Sequence, residues 1–285
     1  MARRALFVTL LAGCNSILGN DRPLGVDARY FDASTDAPFG CPEAGAPPPV
    51  FNIELHGMFV QPCLDFSVRG DRATAACNDP DGNKQVYEGP LGGPLQLVPT
   101  FSEGPLLGAY DQPRLSSDGQ ILYARHTDFQ TSLEVRFALR QPDNSWLFSG
   151  IAPIFTTTSD SISTIAPSPE GDHILVREAG ANVMQEWVGR GADWHLVRSE
   201  TGAELGLPLG PAKLSLDGLR VVQAGFGVSN QVLVYYTDRP SIDAPFRAAE
   251  PFPTAPQDPN GALMTEDCAR LYVAGIGEVF YAQQR

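Results

Sequence analysis

A five-residue phrase, Ser-x-acid-Gly-x, recurs along the chain at nearly constant spacing. It reads Ser116-Ser117-Asp118-Gly119-Gln120, Ser168-Pro169-Glu170-Gly171-Asp172 and Ser215-Leu216-Asp217-Gly218-Leu219. A weaker copy, Ser67-Val68-Arg69-Gly70-Asp71, precedes these, and a degraded one, Thr265-Glu266-Asp267-Cys268-Ala269, follows. The third residues stand at 69, 118, 170, 217 and 267, so the steps are 49, 52, 47 and 50. Self-similarity at such a period marks a copied supersecondary unit, as in propellers and solenoids. The acid-Gly pair is turn chemistry: the carboxylate accepts from nearby backbone N–H groups and Gly tolerates positive φ. Each phrase is therefore expected to be a hairpin turn, which makes Asp118, Gly119, Glu170, Gly171, Asp217, Gly218 and Asp267 structural residues.

The flanking residues fill in the unit. Ile121-Leu122-Tyr123, Ile174-Leu175-Val176, Val221-Val222 and Leu271-Tyr272-Val273 follow the phrases and suit buried strands. A third strand is centred 17 residues beyond the third residue of each of the first four phrases, at Val86, Val135, Trp187 and Val234. A fourth is expected near Leu95, Trp146, Trp194 and Phe246. No long run shows a helical period. Four strands in about 50 residues make a propeller blade rather than a solenoid coil. The fifth repeat reaches Arg285 just after its third strand, while a spare β-like segment, Val50 to Leu55, lies before the first repeat. The expected fold is all-β: a five-bladed β-propeller of four-stranded blades over residues 50–285, its last blade closed by the N-terminal strand. A six-bladed ring is the runner-up and would need about 50 more residues.

The phrase resembles the repeats of TolB-type and other WD40-like propellers, in which a Ser-Pro-Asp-Gly-Lys-like turn leads into an apolar strand. Ser168-Pro169-Glu170-Gly171 and Leu115-Ser116-Ser117-Asp118-Gly119 carry the likeness best, and it covers roughly residues 60 to 282. It implies a propeller and says little about function, because such repeats serve many tasks.

The N-terminus carries a second signal. Arg3 and Arg4 precede a short apolar run, Ala5 to Leu11, and then Leu11-Ala12-Gly13-Cys14. A basic start, a short hydrophobic stretch and small residues make a secretory signal, too short to span a bilayer. Leu-Ala-Gly-Cys resembles the lipobox of bacterial lipoproteins. That resemblance implies a signal peptide of residues 1–13, cleavage before Cys14 and acylation of Cys14, palmitate among the acyl groups, anchoring the chain in a bilayer. Asn15, where an Asp would favour inner-membrane retention, points to the outer membrane of the cell envelope. Residues 14–49, rich in Pro, Gly, Ala and Asp, are expected to form a flexible tether.

The formal charge is −13, and −13 − 2 = −15 once Arg3 and Arg4 are removed. So acidic a chain repels phosphate backbones, and no nucleic acid partner is expected. Apart from Cys14, four cysteines remain: Cys41, Cys63, Cys77 and Cys268. An even number suits an exported protein and allows three pairings. Cys63 and Cys77 are equidistant from Gly70, so a hairpin about that glycine sets them opposite each other and leaves Cys41 with Cys268. The rival pairing, Cys77 with Cys268, joins the first and last repeats, which are neighbours in a ring.

Catalytic constellations are sparse. His56, His126, His173 and His195 show no metal-ligand spacing, and no nucleophile turn or phosphate loop is present. Asp79-Pro80-Asp81-Gly82-Asn83 has the oxygen donors of a calcium loop but lies where a hairpin loop is needed. The repeated acids keep phase with the strands, whereas a catalytic acid should be unique to its blade. Asp65 and Asp111 are the non-repeated candidates near first strands. Trp146 and Trp194 are expected to pack between blades. The expectation is a non-enzymatic binding or scaffolding module for an envelope protein or a glycan, without cofactor or metal. The alternative is an extracytoplasmic carbohydrate-active hydrolase using paired carboxylates.

Overall fold

The computed structural model describes residues 41–48, 51–58, 63–69, 72–79, 82–90, 95–101, 108–127, 133–154, 161–163, 165–168, 171–178, 183–201, 205–206, 212–215, 217–226, 232–252, 261–264, 268, 270–274 and 278–284. Cys14, the expected signal peptide, Glu170 and Asp267 lie outside the described residues.

The described strands form five sheets, four with four strands and one with five. β1 (Phe51–Met58) precedes the first repeat. The first sheet is β2 (Cys63–Arg69), β3 (Arg72–Asn78), β4 (Lys84–Pro90) and β5 (Gln96–Leu97), and the second is β6 (Ala109–Leu115), β7 (Ile121–Thr127), β8 (Leu133–Arg140) and β9 (Trp146–Ala152). The third comprises β10 (Ser161–Ile162), β11 (Ala166–Ser168), β12 (Gly171–Glu178), β13 (Val183–Arg190) and β14 (Asp193–Thr201). The fourth is β15 (Ala212–Leu214), β16 (Arg220–Phe226), β17 (Val232–Asp238) and β18 (Glu250–Pro251). The last is β19 (Gly261–Met264), β20 (Arg270–Ala274), β21 (Glu278–Gln284) and, on its outer side, β1. Each sheet is an antiparallel meander whose first strand meets the first strand of a neighbouring sheet, so the fold is an all-β propeller.

Uniform four-stranded sheets were expected, and the third sheet departs from that. Its inner strand is broken into β10 and β11, which pair with opposite ends of β12. Between them Ser163 bonds back to Leu175: its backbone N–H donates to the Leu175 carbonyl and its hydroxyl accepts from the Leu175 N–H, both at 2.9 Å. The fourth strands also vary. Trp146 and Trp194 fall on β9 and β14 as expected, but Phe246 precedes β18 and packs over Arg239 instead.

The apolar runs after each phrase have a packing cause. A strand buried on both faces feeds two cores alternately. Ile121 and Tyr123 join Ile165, Ile174 and Val176 between the second and third sheets, whereas Leu122 and Ala124 join Val86 and Phe101 between the first and second. Val221 and Val222 divide in the same way between the layers on either side of the fourth sheet. Each such Val, Leu, Ile or Phe side chain, fully buried, contributes roughly 1.5–3 kcal/mol. Trp194 belongs to one of these layers, edge-on to Tyr123 with ring centroids 5.7 Å apart.

The phrases are hairpin turns between first and second strands. In the second sheet the Ser116 hydroxyl donates to the Asp118 carboxylate (2.7 Å) and accepts from the Ile121 N–H (2.8 Å), while Asp118 also accepts from the Gln120 N–H (3.0 Å). Gly119 sits at φ 70°. The fourth sheet repeats this arrangement with Ser215, Asp217, the Leu219 N–H and Gly218 at φ 69°. The third sheet does not. Ser168 pairs directly with Gly171, leaving room for a two-residue loop, and Gly171 belongs to β12 rather than to the turn.

Two disulfides are present, Cys63–Cys77 and Cys41–Cys268. Cys63 and Cys77 are register partners across β2 and β3. Cys268 stands where the other phrases have Gly and keeps their left-handed backbone, at φ 57°. That conformation costs a residue with a Cβ about 1–2 kcal/mol. Residues 41–48 lie in the stretch expected to be a tether, and part of them is fixed. Besides the disulfide, the Pro42 carbonyl accepts from Arg220 (2.9 Å) and the Gly45 N–H donates to Asp238 (2.9 Å). At the opposite edge of the last sheet, β1 pairs with β21 from Phe51↔Gln284 to Met58↔Glu278.

The disulfides span 227 and 14 residues. By the loop-entropy relation, replacing Cys41 and Cys268 by Ala is expected to cost about 5 kcal/mol, and replacing Cys63 and Cys77 about 3 kcal/mol. Urea unfolding of the two double variants, read by tryptophan fluorescence, checks the order.

Candidate functional site

The non-repeated inner-strand residues converge on the middle of the ring. Asp65 on β2 accepts from Arg114 on β6 at 2.7 Å and from Lys213 on β15 at 2.7 Å. The Arg114 Nε–H donates to the Ser163 carbonyl of the third sheet (2.9 Å), and an Arg114 Nη–H donates to the Pro113 carbonyl (2.7 Å). Arg69, also on β2, donates to the Ile165 carbonyl. These contacts tie together the inner strands of four sheets. The Asp65–Lys213 and Arg69–Ile165 contacts join sheets that share no apolar layer among the described residues. Arg114 and Lys213 are buried, and Asp65 nearly so.

Electrostatics explains the arrangement. Burial pushes the Asp65 carboxyl upward, but Arg114 and Lys213 together hold it below the usual carboxylate range. Burial, aided by repulsion from Arg114, pushes Lys213 down to about 7 against the pull of Asp65. Arg177 on β12 is buried as well, and burial lowers it to about 10.

The other sequence candidate, Asp111, is held in a two-point pair by Arg125, at 2.5 and 2.6 Å, with Lys84 at 3.5 Å. Beside it Arg136 donates to Tyr110 and pairs with Glu134, each at 2.5 Å, and His126 stacks on Tyr110 with ring centroids 4.7 Å apart. Asp65 and Asp111 are the carboxylates on the described inner strands, and each is neutralised by guanidinium and ammonium groups. Asp79 is spent on its own loop, accepting from the Asn83 N–H (2.8 Å) and from Gln85 (2.9 Å). No cluster of three or more His, Cys, Asp or Glu fit for a metal ion occurs among the described residues.

The turn acids also act between sheets. Asp118 pairs with Arg190 of the third sheet, and the Ser117 N–H donates to buried Asp172 (2.8 Å). Burial raises the Asp118 carboxyl, but hydrogen bonds from Gln120, Ser116 and Arg190 bring it below its ordinary value. A further device was missed in the sequence. Arg140 donates to the Gly119 carbonyl (3.0 Å) and to Glu88 of the preceding sheet (3.1 Å), and lies over Trp146 at 4.3 Å. Arg239 does the same with the Gly218 carbonyl (2.9 Å), Glu186 (2.8 Å) and Phe246 (4.3 Å). Glu186 is also bonded to His173 (2.9 Å). Both arginines lie 22 residues beyond the acid of their phrase (118 + 22 = 140; 217 + 22 = 239), a phase that would have revealed them.

No family model matches the chain, and no curated protein matches it. Solved structures do. It is similar to an exo-β-1,3-galactanase from Phanerochaete chrysosporium (TM-score 0.53, 11% identity, 81% of this chain and 63% of that one). It is also similar to TolB from Acinetobacter baumannii (0.47, 13%, 80% and 55%) and to a gluconolactonase from Xanthomonas campestris (0.47, 13%, 75% and 69%). The chain thus spans less than two thirds of the galactanase and of TolB. At these identities the likeness concerns the fold alone.

Asp65→Asn leaves Arg114 and Lys213 buried without their counter-ion and is expected to destabilise the chain by about 3–5 kcal/mol. The pH dependence has two arms. The contribution of Asp65, whose folded pKa is lowered, is complete above 3.8 and is lost as pH falls through the folded value. Lys213 binds fewer protons folded than unfolded between about 7 and 10.5, so its contribution rises with pH across that window. Denaturant midpoints measured against pH, with Lys213→Met as the control lacking the second arm, check both.

Proposed function

We propose that this chain is an extracytoplasmic propeller lipoprotein, anchored to the outer membrane through acylated Cys14, that binds or scaffolds a protein or a glycan without catalysis. Each sheet counts as one blade, giving a ring of five with β1 completing the last. Two disulfides and the secretory-type N-terminus support an oxidising, exported setting. No described helix is long and apolar enough to cross a membrane, and the reading assigns attachment to the lipid on Cys14.

The observation that carries the non-catalytic reading is the pairing of Asp65 and Asp111. A glycosidase needs one carboxylic acid and one carboxylate, about 5–10 Å apart and open to substrate. Here Asp65 is held ionised by Arg114 and Lys213, and Asp111 is chelated by Arg125, so neither is set up to donate or accept the proton of a glycosidic bond. The alternative is a carbohydrate-active hydrolase like the galactanase it resembles in fold.

Mass analysis of detergent-extracted protein is expected to show a chain starting at acylated Cys14, and Cys14→Ser is expected to release it from the membrane. An unmodified chain beginning before Cys14 refutes the anchor. Hydrolysis of envelope or plant polysaccharides by the wild type, abolished in Asp65→Asn or Asp111→Asn variants that remain folded, refutes the non-enzymatic reading. Capture by the Cys14→Ser protein of a saturable envelope protein or glycan ligand supports it.

A further inference from the structure

The strand that completes the last sheet is also the strand most open to being pulled away. β1 pairs with β21 alone, over seven register pairs from Phe51↔Gln284 to Met58↔Glu278. Each backbone hydrogen bond on that seam contributes a net of only about 0.5–1.5 kcal/mol. A pull arriving at Phe51 along the chain would meet the seam at one end and break these bonds one or two at a time. Loss of β1 would bare the edge of β21. The chain does not lead straight into β1, however. Ten residues earlier (51 − 41 = 10), Cys41 is bonded to Cys268, in the turn between β19 and β20 of the same sheet. Cys268 is fully buried, and Cys41 packs with it on the apolar layer between the fourth and last sheets.

We propose that the Cys41–Cys268 bond is the point at which tension on the N-terminal segment enters the ring, and that it shields the closing strand β1 from that tension. A pull applied before residue 41 passes through the disulfide into the β19–β20 hairpin, and β19 packs on β15 and β16 of the fourth sheet. The residues between Cys41 and Phe51 join two points of one sheet, so they carry no load while the bond is intact. One covalent bond thus stands ahead of a row of weak ones. The strap beyond Cys41 adds a second hold, on the fourth sheet. Its Pro42 and Gly45 contacts go to Arg220 and Asp238, which are register partners where β16 and β17 meet the turn side. Gly45, at φ 87°, lies against the Arg247 guanidinium with no room for a Cβ, and Arg247 is paired with Asp238 at 3.6 Å. The position of Cys268 agrees. It takes the glycine place of its phrase at a conformational cost, and so sets the crosslink in the innermost hairpin of the sheet rather than on β21. The source of the pull, a lipid on Cys14 while a ligand holds the ring, rests on the role proposed above; the load path does not.

The test is single-molecule stretching of the full chain carrying Cys14→Ser, with one handle at its N-terminus and the other on a thiol introduced by Asp193→Cys at an exposed turn. Because the instrument supplies the pull, the result is independent of whether Cys14 is acylated. With the disulfide intact, no release of β1 is expected before the ring itself opens. In Cys41→Ser/Cys268→Gly, which restores the glycine of the phrase, an early step of up to about 60 Å is expected at lower force, from the 17 residues between Cys41 and Met58 (58 − 41 = 17) at about 3.5 Å each. Treating the folded, unloaded parent molecule with a dithiol is expected to produce the same step, and requires no refolding of a variant. Cys63→Ser/Cys77→Ser, stretched without reductant, is expected to behave as the intact chain. An early step in the intact chain, its absence after the Cys41–Cys268 bond is removed by both routes, or its appearance on loss of the Cys63–Cys77 bond alone overturns the inference.

Discussion

The ion pair between Asp65 and Lys213, with Arg114 closing the triad, is the contact on which the ring turns. Desolvating three charges costs several kcal/mol apiece, and only a full set of partners offsets that. The partners come from three sheets, and Arg114 reaches a fourth through the Ser163 carbonyl. A one-residue slip of β2 would move Asp65 to the other face of its strand and leave two buried cations unpaired. The hub therefore specifies register and neighbours together, something the apolar layers, built from interchangeable Val, Ile and Leu, do less sharply.

The interfaces between sheets use the same logic nearer the surface. Arg140 and Arg239 each join a turn carbonyl, a glutamate of the preceding sheet and an aromatic ring. Arg is suited to this because its planar fork donates along its edge while its face stacks. Between the second and third sheets Arg190 likewise reaches back to the preceding sheet, here to the turn acid Asp118. The turn acid of the second repeat thus serves two sheets, which explains its place in the phrase better than turn chemistry alone.

Much of this was legible in the sequence, because local signals are repeated in phase. The hairpin phrases, the third strands at Val86, Val135 and Val234, and the symmetric placing of Cys63 and Cys77 about Gly70 all rest on short-range spacing. The hub was not legible. Asp65 stood out as a non-repeated acid near a first strand, but its partners Arg114 and Lys213 lie 49 and 148 residues further on (114 − 65 = 49; 213 − 65 = 148), and nothing local distinguishes them from surface charges. The departure of the third sheet was hidden for a different reason. Ser168-Pro169-Glu170-Gly171 is the best match to the repeat signature, yet its strand pairing closes directly between Ser168 and Gly171, with Gly171 in β12.

β1 finds its partner in β21, more than two hundred residues along the chain, and Cys41 finds Cys268 beside it. Whether the chain emerges from a ribosome or through a membrane pore, its earliest strand must wait for its last. Until β21 is complete, β1 has no partner strand and its hydrogen-bonding edge stands open. Long-range closure of this kind is slow, because the entropy of a large loop must be lost before any contact rewards it. The left-handed cysteine at 268 then acts as a clasp. It sits in the hairpin between β19 and β20, so the crosslink to Cys41 forms only after that turn has been made, and a chain cut before residue 268 has nothing to fasten to.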